Sequence, residues 1–223
     1  MVGRGSDPTA GSIEGRTIDG VSAIDTVIFD LGAVLIDWDP NHLYEDVIPD
    51  PAERARFLAE ICTHDWNYSL DAGRNVPEAV AGLAVEHPGH EREIRAWWDR
   101  WPEMLAGPID GTVDIANRLR SDGYRLLALT NFAAETWPRA VEKLPFLGTM
   151  FDGVVVSGVE KIAKPDPAIY RLLLDRYDVD PATAVFIDDR PVNVAAAEAL
   201  GIRSHVFVSP DDLEAWLDEV LAR

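Results

Sequence analysis

Five short apolar runs punctuate the chain. Thr26-Val27-Ile28-Phe29 ends at Asp30, and Tyr124 to Leu129 ends at Thr130-Asn131. Gly153-Val154-Val155-Val156 ends at Ser157, and Ala184-Val185-Phe186-Ile187 ends at Asp188-Asp189. His205-Val206-Phe207-Val208 comes last. Runs this short, rich in β-branched and aromatic residues and without polar alternation, predict strands buried on both faces. Helical patterns separate them. Val113, Ala116 and Leu119 share one face, and Gly123 follows as a stop. Asp166 is a good N-cap for a helix over Pro167 to Tyr177, with proline in the first helical position. Val194 to Leu200 ends at Gly201, and Leu213, Trp216, Leu217 and Val220 form a last amphipathic face. Strands alternating with helices predict an α/β fold: a doubly wound, Rossmann-like parallel sheet covered on both faces.

A long stretch, 41–107, interrupts this alternation between the first two strands. It reads as helical throughout. Asp50-Pro51-Ala52-Glu53 forms a capping box ahead of Phe57, Leu58 and Ile61. Pro77 opens a helix carrying Val80 and Leu83, and Glu91 to Met104 carries Ile94, Trp97, Trp98 and Trp101. The stretch is too long for a simple crossover, so residues 41–107 are expected to form a helical cap domain. Residues 17–40 and 108–223 then form the α/β core. Residues 1–16 are rich in Gly and Ser, lack an apolar period and end in Ile13-Glu14-Gly15-Arg16, which matches a protease site placed after engineered tags. They are expected to be an expression tag.

Composition narrows the function classes. The 223 residues include 39 acidic and 20 basic ones, for a net charge of −19. Such a chain repels phosphate backbones and anionic lipid, so neither nucleic acid nor a membrane surface is an expected partner. No apolar run is long enough to span a bilayer. The single cysteine, Cys62, permits no intrachain disulfide and fits a cytoplasmic protein. The chain is expected to act as a monomer or homodimer.

The candidate chemistry sits at the strand ends. In a doubly wound sheet the carboxyl ends of the strands converge on one crevice. Asp30, Thr130, Ser157 and Asp188 each follow a strand, and Lys164 lies in the loop after the third. Each alone reads as a loop start or cap. Together they offer a carboxylate, a hydroxyl, an ammonium and the Asp188-Asp189 pair. Clustered carboxylates repel unless they hold a hard cation such as Mg²⁺. A carboxylate nucleophile, a cation, a lysine and a hydroxyl suit phosphoryl transfer.

Val27 to Leu35, Leu129-Thr130-Asn131, Lys164-Pro165-Asp166-Pro167-Ala168-Ile169-Tyr170 and Phe186-Ile187-Asp188-Asp189, with Asn193 beyond, resemble the four ordered motifs of the haloacid dehalogenase-like hydrolase superfamily. The subgroup it is similar to carries a helical cap between the first two motifs. The resemblance implies that Asp30 is the nucleophile, forming an aspartyl-phosphate, and that Lys164 positions it and neutralises charge. It implies that Thr130 and the Asn131 backbone bind the phosphoryl group of a small phosphorylated metabolite. It also implies that Asp30, the Gly32 carbonyl, Asp188 and Asp189 hold Mg²⁺, with Asn193 behind them. One departure is plain: phosphatases of this family usually carry an acid–base aspartate two residues after the nucleophile, where this chain has Gly32. Asp37 and Asp39 are candidate substitutes, and Trp66 and Arg74 candidate substrate contacts. Two alternatives stay open: a 2-haloacid dehalogenase using the same nucleophile, and a degenerate phospho-ligand-binding module.

Overall fold

The computed structural model describes residues 17–18 and 21–221, with side chains from residue 23. The expected tag, residues 1–16, lies outside the described residues. Two short strands, β1 (Thr17–Ile18) and β2 (Val21–Ser22), pair antiparallel. The central sheet contains β3 (Thr26–Phe29), β6 (Arg125–Thr130), β7 (Gly153–Val156), β8 (Ala184–Asp188) and β9 (Arg203–Val206). Its order is β7-β6-β3-β8-β9 and every pairing is parallel. The order reverses at β3, so the crevice for a ligand opens beyond its carboxyl end.

The lack of polar alternation in the strands reflects two apolar layers. Val27, Phe29, Leu126, Ala128, Val185 and Ile187 face one of them, together with α6 (Asp110–Ser121) and α11 (Pro210–Leu221). Ile28, Leu127, Leu129, Val155 and Phe186 face the other, against α9 (Pro167–Tyr177) and α10 (Pro191–Glu198). Each fully buried Val, Leu, Ile or Phe contributes about 1.5–3 kcal/mol, so neither face tolerates a register slip. The last strand differs from its expected position by two residues. Pairing of Arg203–Val206 with β8 decides the strand, and Phe207 instead tucks into the core.

The insert is mostly helical: α1 (Pro40–Val47), α2 (Pro51–Glu60), α3 (His64–Asp71), α4 (Val76–Glu86) and α5 (Glu91–Asp99). Side chains of Asp39, Asp50, Thr63 and Asn75 cap the first four, each supplying a partner for an otherwise orphaned helix N–H. It is not helical throughout. The chain enters it through β4 (Ile36–Trp38) and leaves through β5 (Leu105–Pro108), and these two pair antiparallel as a ribbon. Among the described residues no helix is long and apolar enough to cross a membrane.

Candidate active site

Asp30 follows β3 directly, and its N–H donates to Ile187 O at 2.8 Å. Sheet bonding thus fixes the carboxylate above the switch point, where its Oδ1 accepts from Leu31 N at 2.6 Å. Thr130 and Asp188 prove to be the last residues of β6 and β8. The parallel register therefore delivers both to the same sheet edge as Asp30.

Lys164 is the electrostatic centre of the cluster. It is 1% exposed, and its ammonium lies 2.9 Å from Asp30 Oδ1 and 2.7 Å from Asp188 Oδ2. Burial favours the neutral amine, but the two carboxylates outweigh it and hold the ammonium above its ordinary range. The loop bearing Lys164 is itself fastened. Asn131 Nδ2 donates to Lys164 O at 3.0 Å, and Asn131 Oδ1 accepts from Lys164 N at 2.9 Å. Asn193 Nδ2 donates to both oxygens of Asp188, at 2.9 and 3.0 Å, and Arg190 N donates to Oδ1 at 2.8 Å. Burial pushes the Asp30 carboxyl up to about 7; Lys164 opposes that shift and Asp188 and Asp189 add to it. Asp189 is raised by burial and then by Asp188.

These carboxylates fit a hard cation. Asp30, Asp188 and Asp189 each offer an oxygen, and the three oxygens lie within 4.8 Å of one another. Three acidic oxygens, two of them on carboxyls forced upward in pKa, are a donor set that a divalent ion relieves. Two buried polar atoms nearby, Thr130 Oγ1 and Asn193 Oδ1, have no hydrogen-bond partner. A buried unpaired hydroxyl costs about 1–3 kcal/mol, so Thr130 is suited to meet a ligand.

A cleft of about 410 Å³ of empty space opens between this edge and the insert. Gly32, Asn131, Phe132, Ala133 and Thr136 line it from the sheet side. Trp38, Asn67, Leu70, Asp71, Trp97 and Trp101 line the rest. Trp97 and Trp101 are nearly fully buried, so they pack the insert and wall the cleft at once. Trp66 meets Trp97 edge-to-face at 5.2 Å and is not part of the lining; Arg74 is exposed and also outside it. Nor do Asp37 and Asp39 line the cleft. Trp38 faces inward, so the pleat turns Asp37 outward, where it meets His42 at 3.0 Å. Asp39 caps α1 by accepting from Asn41 N at 2.8 Å.

Two residues at this site have roles in the geometry that local sequence does not specify: Ser157 stands out only as a strand end, and Asp71 only as a polar group of the insert. Ser157, the first residue of α8 (Ser157–Glu160), accepts from Phe132 N at 3.0 Å and donates to Asp71 O at 2.6 Å. It ties the loop after β6 to the end of α3. Asp71 is the one titratable side chain in the lining. Asn67 reaches it from one turn back on α3, but Ser157 comes from a distant segment that no local spacing could have revealed.

A family model described as haloacid dehalogenase-like hydrolase matches residues 24–201. The chain is 33% identical over 195 residues to a plasmid-encoded phosphoglycolate phosphatase of Cupriavidus necator, covering 79% of this chain and 80% of that one. It is 27% identical over 178 residues to the sesquiterpene phosphatase astK of Aspergillus oryzae, covering 78% and 85%. A HAD family enzyme from Bacteroides thetaiotaomicron, solved as a magnesium complex, superposes with a TM-score of 0.70 at 23% identity, over 87% of this chain and 98% of that one. The matched region spans all four strand-end motifs, and the parallel sheet places their acids on one edge: the chain belongs to the haloacid dehalogenase-like hydrolase family.

Proposed function

We propose that this hydrolase is a Mg²⁺-dependent phosphatase acting on a small phosphorylated metabolite through an aspartyl-phosphate on Asp30. One observation carries the reading: a buried ammonium bridging Asp30 and Asp188 beside a third carboxylate. Phosphoryl transfer needs in-line attack and neutralised equatorial oxygens. Asp30 supplies the attacking oxygen. Lys164 orients it and offsets the charge that develops on the phosphoryl group. Thr130 Oγ1 and the Asn131 N–H bind phosphoryl oxygens. Asn193 holds Asp188 in place for its neighbours. Asp30, Asp188, Asp189 and the Gly32 carbonyl would hold Mg²⁺, which supplies the positive charge that lets an anionic phosphate approach three carboxylates. We read residues 41–107 as a cap over the site. The aromatic walls of the cleft, without a lysine or arginine among them, favour a compact organic group on the phosphate over a second anionic one. The phosphatase names of the relatives agree with the reading.

The test is hydrolysis of a panel of phosphate monoesters with and without chelator. Activity should vanish in excess chelator and return with added Mg²⁺. Full activity in chelator, with halide released from 2-chloropropionate, would replace this reading with dehalogenation.

A further inference from the structure

An alkyl phosphate leaves as an alkoxide, which needs a proton as its bond to phosphorus breaks. Position 32 has no side chain to give one. Asp37 is turned out to His42, and Asp39 is engaged at the start of α1. The cleft nevertheless contains one acid. Asp71 ends α3 and lines the cleft with Gly32, two residues beyond Asp30, and Asn131, one beyond Thr130. Its position is fixed from both ends. Ser157, fully buried at the end of β7, donates to the Asp71 backbone oxygen at 2.6 Å. Asn67 Nδ2 donates to Asp71 Oδ2 at 3.1 Å.

We propose that Asp71 is the general acid–base group of this enzyme, supplying from the helical insert what the residue at position 32 cannot. The proposal rests on the phosphoryl-transfer reading above. In the first step an Asp30 oxygen bonds to phosphorus while the ester oxygen departs with the proton of the Asp71 carboxyl. In the second, the Asp71 carboxylate takes a proton from water as the water oxygen bonds to phosphorus. The bond from phosphorus to Asp30 then breaks with its electron pair. Asp30 returns as a carboxylate, Asp71 as an acid, and alcohol and phosphate are the products. The site favours that cycle: burial, and more weakly Asp30, raises the Asp71 carboxyl well above its ordinary range, while Ala133, Asn67 and Lys164 moderate the rise. A carboxyl held above its ordinary range gives up its proton less readily to water and is better suited to pass it to a leaving group.

Asp71→Asn keeps the shape and removes the transferable proton. With Mg²⁺, turnover of an alkyl phosphate should fall about 10²–10⁴-fold. The first turnover of p-nitrophenyl phosphate should change little, because p-nitrophenolate leaves unaided. Later turnovers should slow, giving a burst of p-nitrophenolate, because water attack has lost its base. Gly32→Asp in the Asp71→Asn background should recover part of the alkyl rate: a Cβ at position 32 meets nothing within 4 Å. Alkyl turnover within a few-fold of wild type would overturn the proposal. So would an equal loss on both esters in the first turnover, which marks a structural role. If Asp71→Asn does not fold, Asp71→Ser is read by the same comparison. Wild-type protein without chelator-sensitive phosphatase activity, or active Asp30→Asn, would instead overturn the underlying reading.

Discussion

Taking an ammonium and two carboxylates out of water costs more than their attraction returns unless the geometry holds all three together. Lys164 is in that position, so Lys164→Met leaves Asp30 and Asp188 buried without a counter-charge. The expected loss is about 3–5 kcal/mol, read by urea denaturation; a loss below about 1 kcal/mol would mean that the carboxylates relax into water. Asp30 makes a second prediction. Its folded-state pKa of about 7 stands above its ordinary 3.8. Between those values the folded protein holds a proton that the unfolded chain has released, so this group favours folding at low pH and the benefit is lost as pH rises through about 7. Asp189 is shifted the same way. Metal-free protein should therefore melt at progressively lower temperature from about pH 4 to about pH 7 and level off above that, and Asp30→Asn should flatten the trend. A melting temperature that climbs over this range would contradict the burial of an un-ionised Asp30. Asp30, Asp188 and Asp189 were legible because they sit where an apolar run stops, and Lys164 because it is a cation in the loop after the third run. The place of Asp71 in the cleft was not, because it depends on Ser157 reaching it from 86 residues away. Asp37 and Asp39 misled through nearness in sequence: a one-residue alternation and a helix cap send both away from the cleft.

At the scale of elements, five strands and the helices between them follow from apolar runs and caps, whereas the β4–β5 ribbon does not. Ile36-Asp37-Trp38 is three residues long, and Leu105-Ala106-Gly107-Pro108 contains two residues that strands usually avoid. Only their pairing with each other makes them strands, and pairing between residues so far apart leaves no local trace. The approach of α8 to the loop after β6 is a similar long-range fact. Gly158 N donates to Phe132 O at 2.9 Å. A Cβ at position 158 would stand 2.4 Å from Ala134 N and 2.7 Å from Phe132 O, both rigid backbone. Gly158→Ala should therefore force α8 off the loop and cost about 1–3 kcal/mol in stability. It should also reduce turnover, since Ser157 beside it holds both Phe132 N and Asp71 O. Thermal denaturation and phosphatase rates on the same protein check both; an unchanged melting temperature would mean that the loop yields freely.

The whole molecule carries a net charge of −19, yet the proposed substrate is an anion that must reach a cleft edged by three carboxylates. The field of the protein and the chemistry of the site therefore oppose each other. The opposition is one of range. Lys164 and a bound divalent ion act within a few ångströms, in a buried place that salt screens poorly. The surface acids act over the distance of approach, where screening is strong: the Debye length falls from about 30 Å at 0.01 M salt to about 8 Å at 0.15 M. Most charged-substrate enzymes steer their ligands inward, so their encounter rates fall as salt rises. Here the long-range term is repulsive. With Mg²⁺ saturating, kcat/KM for a phosphate monoester should rise as potassium chloride is raised over that range, while kcat stays nearly constant. A neutral competitor bound in the aromatic cleft should show no such trend. If kcat/KM instead falls with salt, the local positive charge at Lys164 and the metal reaches far enough to steer the substrate, and the surface acids are electrostatically irrelevant to capture.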